Sequence, residues 1–132
     1  MTFSIKSIIS WTLLLIMLMQ FIPLNRINPP AVSDIQAPDL VKKGLRRSCY
    51  DCHSYETRWP AFAWIAPASW LVSGTVTSGR TALNFSAWNN QKRAKIRKVI
   101  SERSVHQKLY YLWEPDAKLT VTETRTLLEW LN

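Results

Sequence analysis

Residues 7–22 run Ser-Ile-Ile-Ser-Trp-Thr-Leu-Leu-Leu-Ile-Met-Leu-Met-Gln-Phe-Ile without a formal charge, with Lys6 before them and Pro23, Leu24 and Arg26 after. A stretch that is apolar on every side has no polar face to offer water, so it does not read as a core helix of a small globular domain. Taken from Phe3 to Leu24 it approaches the roughly 20 residues that cross a bilayer as a helix. The chain is therefore predicted to start with a transmembrane helix, a membrane anchor over residues 1–24. A cleaved signal peptide has the same basic start and apolar middle but ends in small residues of the Ala-x-Ala kind. Here the sequence continues Pro23-Leu24-Asn25-Arg26, which favours an uncleaved anchor. The flanking charges do not orient it, because Lys6 lies on one side and Arg26, Lys42 and Lys43 on the other.

What is left of 132 residues is enough for one modest domain. Residues 25–36 hold Pro29 and Pro30 among short polar side chains and read as an extended linker. The domain is expected over 37–132. Three Gly are too few for a turn-rich sandwich or barrel, so an all-α domain is predicted. Short helices are expected over 38–47 and 67–76, the second with Pro67 in its first turn, where a missing N–H costs nothing. A further helix is expected over 89–102, with Ile96, Val99 and Ile100 on one face and Lys92, Arg93, Lys95, Arg97 and Lys98 elsewhere. Thr120-Val121-Thr122-Glu123 is a capping box ahead of a closing helix, whose residues Val121, Thr124, Leu127, Leu128 and Leu131 share a face suited to core packing. The net charge of +8 favours acidic protein partners or anionic lipid, and no nucleic-acid fold signature accompanies it. No nucleic-acid partner is expected.

Both cysteines fall in Ser48-Cys49-Tyr50-Asp51-Cys52-His53, the order that marks covalent c-type haem attachment. Cysteines three residues apart lie on one side of a helical turn, where both sulfurs reach one porphyrin edge. His53, next in line, is placed to bind iron as the proximal ligand. A structural zinc site takes four protein ligands, and with two Cys and two His in all it would have to use the neighbours Cys52 and His53 together with distant His106. A thioredoxin-like pair needs a strand and helix framework, for which 37–53 gives no strand pattern. A plain disulfide accounts for the cysteines and leaves His53 unexplained.

The sequence also resembles the small haem-binding-domain proteins of bacterial envelopes related to cytochrome c. The resemblance rests on Cys49-Tyr50-Asp51-Cys52-His53-Ser54, Thr57-Arg58-Trp59-Pro60, Ile65-Ala66-Pro67-Ala68-Ser69-Trp70, Gly79-Arg80, Leu83-Asn84-Phe85-Ser86-x-Trp88, Tyr110, Pro115-Asp116-Ala117-Lys118-Leu119-Thr120, Glu123 and Trp130. It implies a small cytochrome c-like helical domain with one covalently attached haem c, on the periplasmic side of a bacterial inner membrane that the chain crosses once. It also implies electron transfer with redox partners. The family pattern places a Met-Pro dipeptide shortly before the position of Tyr110, where this chain reads Val105-His106. Met1, Met17 and Met19 all lie at the start or in the apolar segment, so methionine ligation of iron is not expected. His106 is the candidate sixth ligand; Lys108, Lys92 or an open position are the alternatives, and a surface histidine without a ligand role is equally compatible.

Trp59, Phe62, Trp64, Trp70, Phe85 and Trp88 follow the motif, where a porphyrin needs apolar walls; two or three of them are expected to touch it. No acid–base pair, nucleophile constellation or phosphate-binding loop stands out, so no enzyme is expected. A haem-based gas or redox sensor, and an assembly module with a structural haem, are the rival functions.

Overall fold

The computed structural model describes residues 4–89, 92–102 and 110–132. Among them the regular elements are all helical. They are α1 (Ile5–Met19), α2 (Asp39–Ser48), α3 (Tyr50–His53), α4 (Ala68–Ala82), α5 (Arg93–Ser101), α6 (Tyr110–Trp113) and α7 (Val121–Trp130), with short 3-10 turns at Ala61–Trp64, Phe85–Ala87 and Pro115–Ala117. The all-α expectation holds.

Hydrophobic spacing builds the core. Val41, Gly44 and Leu45 are the buried residues of α2, at i, i+3 and i+4. They meet Ile96 and Ile100 of α5 and Leu127 and Leu131 of α7, around Tyr50 and Phe85. Pairwise, α2 lies against α3 and α7, α5 against α7, and α3 against α4. The closing helix starts as expected: Thr120 Oγ1 accepts from the Glu123 N–H and Glu123 in turn accepts from the Thr120 N–H. Its apolar face divides, however. Leu127 and Leu131 are buried, whereas Val121 is 79% exposed and lies at the rim of a cavity.

Two expectations about the N-terminal part change. The first helix is 15 residues long, Ile5–Met19, and no described helix is long and apolar enough to cross a membrane. The single span expected over residues 1–24 therefore has no support among the described helices. Beyond Met19 the chain turns, the Gln20 N–H bonding Met17 O, and Pro23 cannot donate to a continuing helix. The second change concerns residues 25–36, expected as a linker. They are extended, but they lie on the domain. Asn28 Nδ2 donates to Thr57 O, the Val32 and Ser33 N–H groups donate to Ser86 O, and Ser33 Oγ accepts from the Trp88 N–H. Ile35 is 1% exposed and belongs to the core, so the packed unit begins before residue 37.

Candidate functional site

The motif sits where α2 breaks into α3. Cys49 caps α2, with φ −129° and ψ −32°, and its N–H still bonds Leu45 O at 2.8 Å. One turn follows, closed by the His53 N–H to Cys49 O at 2.9 Å, and Ser54 ends it in an extended conformation. Buried Ser54 locks this end: its Oγ donates to Tyr50 O at 2.8 Å and accepts the Glu56 N–H at 2.9 Å.

Helix α4 packs directly on the motif. A Cβ built at Gly79 would lie 2.3 Å from Cys52 O and 3.2 Å from Cys52 Cβ, so the two backbones approach this closely only because Gly79 has no side chain. Its carbonyl serves the histidine. His53 Nδ1 lies 2.9 Å from Gly79 O and 3.1 Å from Leu83 O. Two carbonyl oxygens accept and cannot donate, so Nδ1 carries the proton, and in the neutral ring the lone pair is on Nε2. Metal-bound histidines are oriented by this kind of contact.

Cys49, Cys52 and His53 line one cavity of about 970 Å³, at the upper end of the roughly 300–1,000 Å³ usual for cofactor sites. Its walls include Trp70, Leu83, Phe85, Ile96, Val99 and Tyr111. Lys95 and Lys118 also line it. Two of its polar atoms, Ser48 Oγ and Trp70 Nε1, are buried without a hydrogen-bond partner among the described residues. Both cysteines are free thiols. Burial, with the charge of Cys52, pushes Cys49 up to about 12; burial and then Asp51 push Cys52 up to about 11. A thioredoxin-like pair requires the opposite shift, and no group of three metal-ligating side chains occurs among the described residues.

Asp51, between the cysteines and also lining the cavity, holds the rest of the site together. Its carboxylate accepts from Arg58 N–H, Nε and Nη2 and, at 2.7 Å, from the Tyr110 hydroxyl. That bond ties α6 to the motif across more than fifty residues of chain, and burial, followed by this bond, raises the Tyr110 pKa far above its usual 10. Arg80 does similar work on the other side, through Nε to Ser54 O, Nη1 to Ile27 O, and Nη2 to Asn28 Oδ1 and Thr57 Oγ1.

Of the aromatics expected at the cofactor, Trp70 and Phe85 line the cavity. Phe85 also stacks between Tyr50 and Trp88, Phe62 packs on Trp113, and Trp64 lies under the Arg26 guanidinium. His106 and Lys108 lie outside the described residues. Lys92 is not among the residues lining the cavity. Gly79, Leu83 and Tyr111 were not singled out as site residues by sequence. Gly79 lies beyond residue 76, where the helix is expected to end, because α4 runs on to Ala82; a backbone carbonyl such as that of Leu83 leaves no signal in sequence.

A helical domain whose apolar cavity presents two thiols, one oriented imidazole and two lysines is built as a receptacle for a flat, metal-bearing cofactor. The comparison with known families names it: residues 14–132 match the haem-binding domain family, and the chain belongs to that family. The residues present fit that group, since the size of the cavity, its apolar walls, and the two thiols and imidazole among its lining suit haem. No curated protein and no solved structure matches the chain.

Proposed function

We propose that the chain holds one haem covalently, as haem c, through Cys49 and Cys52, with His53 binding the iron, and that it carries electrons at the bacterial inner membrane. The observation that carries this reading is that both thiols and the His53 imidazole line one cavity while Gly79 O and Leu83 O fix the imidazole with its lone pair on Nε2. Each protonated thiol would add its S–H across one vinyl group, which forms a thioether without an oxidant or a leaving group. Bound there, haem would supply one-electron chemistry. Phe85, Leu83 and Ile96 would exclude water from the bound group, and Lys95 and Lys118 would be the basic side chains available to its carboxylates. For the sixth position we retain His106.

The reading is of a carrier rather than an enzyme. Acidic redox proteins are the partners that suit a chain of net charge +8. Helix α1, which buries none of its residues, anchors it in the membrane, with a single pass and the haem domain on the periplasmic side, where covalent attachment takes place.

Acid–acetone extraction followed by denaturing electrophoresis tests the attachment. Haem should stay with the wild-type polypeptide and leave the double variant Cys49→Ala/Cys52→Ala. Release from the wild type would end the covalent reading.

A further inference from the structure

Helix α1 does not end in a loose tether. The Gln20 side chain lies against the 3-10 turn that follows the motif: the Ala66 N–H donates to Gln20 Oε1 at 3.0 Å, and Gln20 Nε2 reaches Ala66 O at 3.4 Å. Six residues on, Arg26 Nη1 donates to Ala63 O at 3.0 Å and its guanidinium covers Trp64, 4.5 Å from the ring. The end of α1 and residues 63–66 are therefore one continuous surface. That surface is apolar, with Phe21 at 81%, Ile22 at 51%, Trp64 at 56% and Ile65 at 60% exposure.

A second quantity fits this one. At 1.5 Å per residue the 15 residues of α1 rise about 22 Å, roughly 8 Å short of a hydrocarbon core of about 30 Å. Elements that lie in the interface typically sink about 5–10 Å below the headgroups. From these two facts we infer that the haem domain sits directly on the bilayer, with Phe21, Ile22, Trp64 and Ile65 sunk into the headgroup–acyl boundary, where they supply the apolar depth that α1 lacks. The inference rests on the anchor reading of α1 given above. The chemistry of the patch suits lipid: an indole with a cation over its face is at home where one end is apolar and the other wet, and the Arg26 guanidinium there faces anionic headgroups. If α1 lies in the membrane, the Gln20–Ala66 bonds hold Ile65 close to where the helix leaves it.

The test uses full-length haem-loaded protein in vesicles of phosphatidylethanolamine and phosphatidylglycerol, with a benzophenone amino acid in place of Ile65 or, for comparison, of Leu40, which is exposed on α2. Irradiation and mass spectrometry should give lipid adducts at position 65 and not at position 40. Adding Trp64→Glu should keep the protein in the carbonate-washed membrane fraction and cut the adduct at 65 at least about tenfold, the factor that corresponds to 1.4 kcal/mol. Membrane-retained protein that forms no lipid adduct at 65, or that crosslinks there to a protein instead, overturns the docking and leaves the anchor standing. Release of the wild type by carbonate defeats the anchor reading itself, and the docking with it.

Discussion

His53 is oriented at its Nδ1 by backbone carbonyls. Its Nδ1 is held by Gly79 O and Leu83 O, so its orientation is set by the backbone of α4. Changing His53 to Ala should leave haem attached and remove its low-spin spectrum. Changing His106 to Ala should turn ferric haem high-spin and let the reduced form bind carbon monoxide; a variant that stays low-spin and closed to carbon monoxide excludes His106 as the sixth ligand. Gly79 makes the sharper stability prediction. In an ordinary helix interior Gly→Ala gains about 0.5–1 kcal/mol. Here the new methyl would sit 2.3 Å from Cys52 O, and overpacking of that kind costs about 1–3 kcal/mol. Gly79→Ala should lower Tm and the yield of attached haem, whereas nothing lies within 4 Å of the corresponding atom at Gly74. The Cys-x-x-Cys-His motif was legible because its spacing is local in sequence. The carbonyls that orient its histidine were not, because every residue has one.

Among the elements, α7 is the most self-contained. Thr120→Ala removes its cap and should cost about 1 kcal/mol, read by chemical denaturation. Its Glu123 also pairs with Arg47 at 2.7 Å. The hydrogen bond from Arg47, and next the Thr120 N–H, lower the Glu123 pKa from 4.5 to about 2. Because the folded value is the depressed one, this stabilisation is complete above about pH 4.5 and is lost as pH falls toward 2. Glu123→Gln should flatten the stability profile across that window, measured by thermal unfolding at successive pH values. The capping box was readable in sequence, as was the face of α5 that buries Ile96 and Ile100. The aromatics were readable only in part. Six were grouped by their nearness to the motif, yet Phe62 and Trp64 pack elsewhere, since sequence proximity to a site does not decide which face of a turn a ring occupies. The basic residues of α5 are similarly divided: Arg93 lies over Trp130 and donates to its carbonyl, and Lys95 donates to Ala82 O, which leaves less of the helix as a uniform docking face.

At the scale of the whole molecule, the segment read as a linker is a strap. Proline and short polar residues gave it the composition of a spacer, and nothing in that composition marked Ile35 for the core. Arg80 ties it down, bonding Ile27 O and Asn28 on one side and Ser54 and Thr57 on the other. Arg80→Ala removes four hydrogen bonds of a cation, each typically worth about 1.5–3 kcal/mol. Limited proteolysis should then cut residues 25–36 at least about ten times faster, since 1.4 kcal/mol of local opening suffices for that factor. The strap also sets how the proposed carrier would work. A haem domain on a free tether can swing between a donor and an acceptor, as a shuttle does. One whose tether is laced along its own flank has no slack to swing with, so the proposed carrier would behave as a fixed relay: its neighbours would come to it, and electrons would pass between groups that reach the cavity where the motif lies.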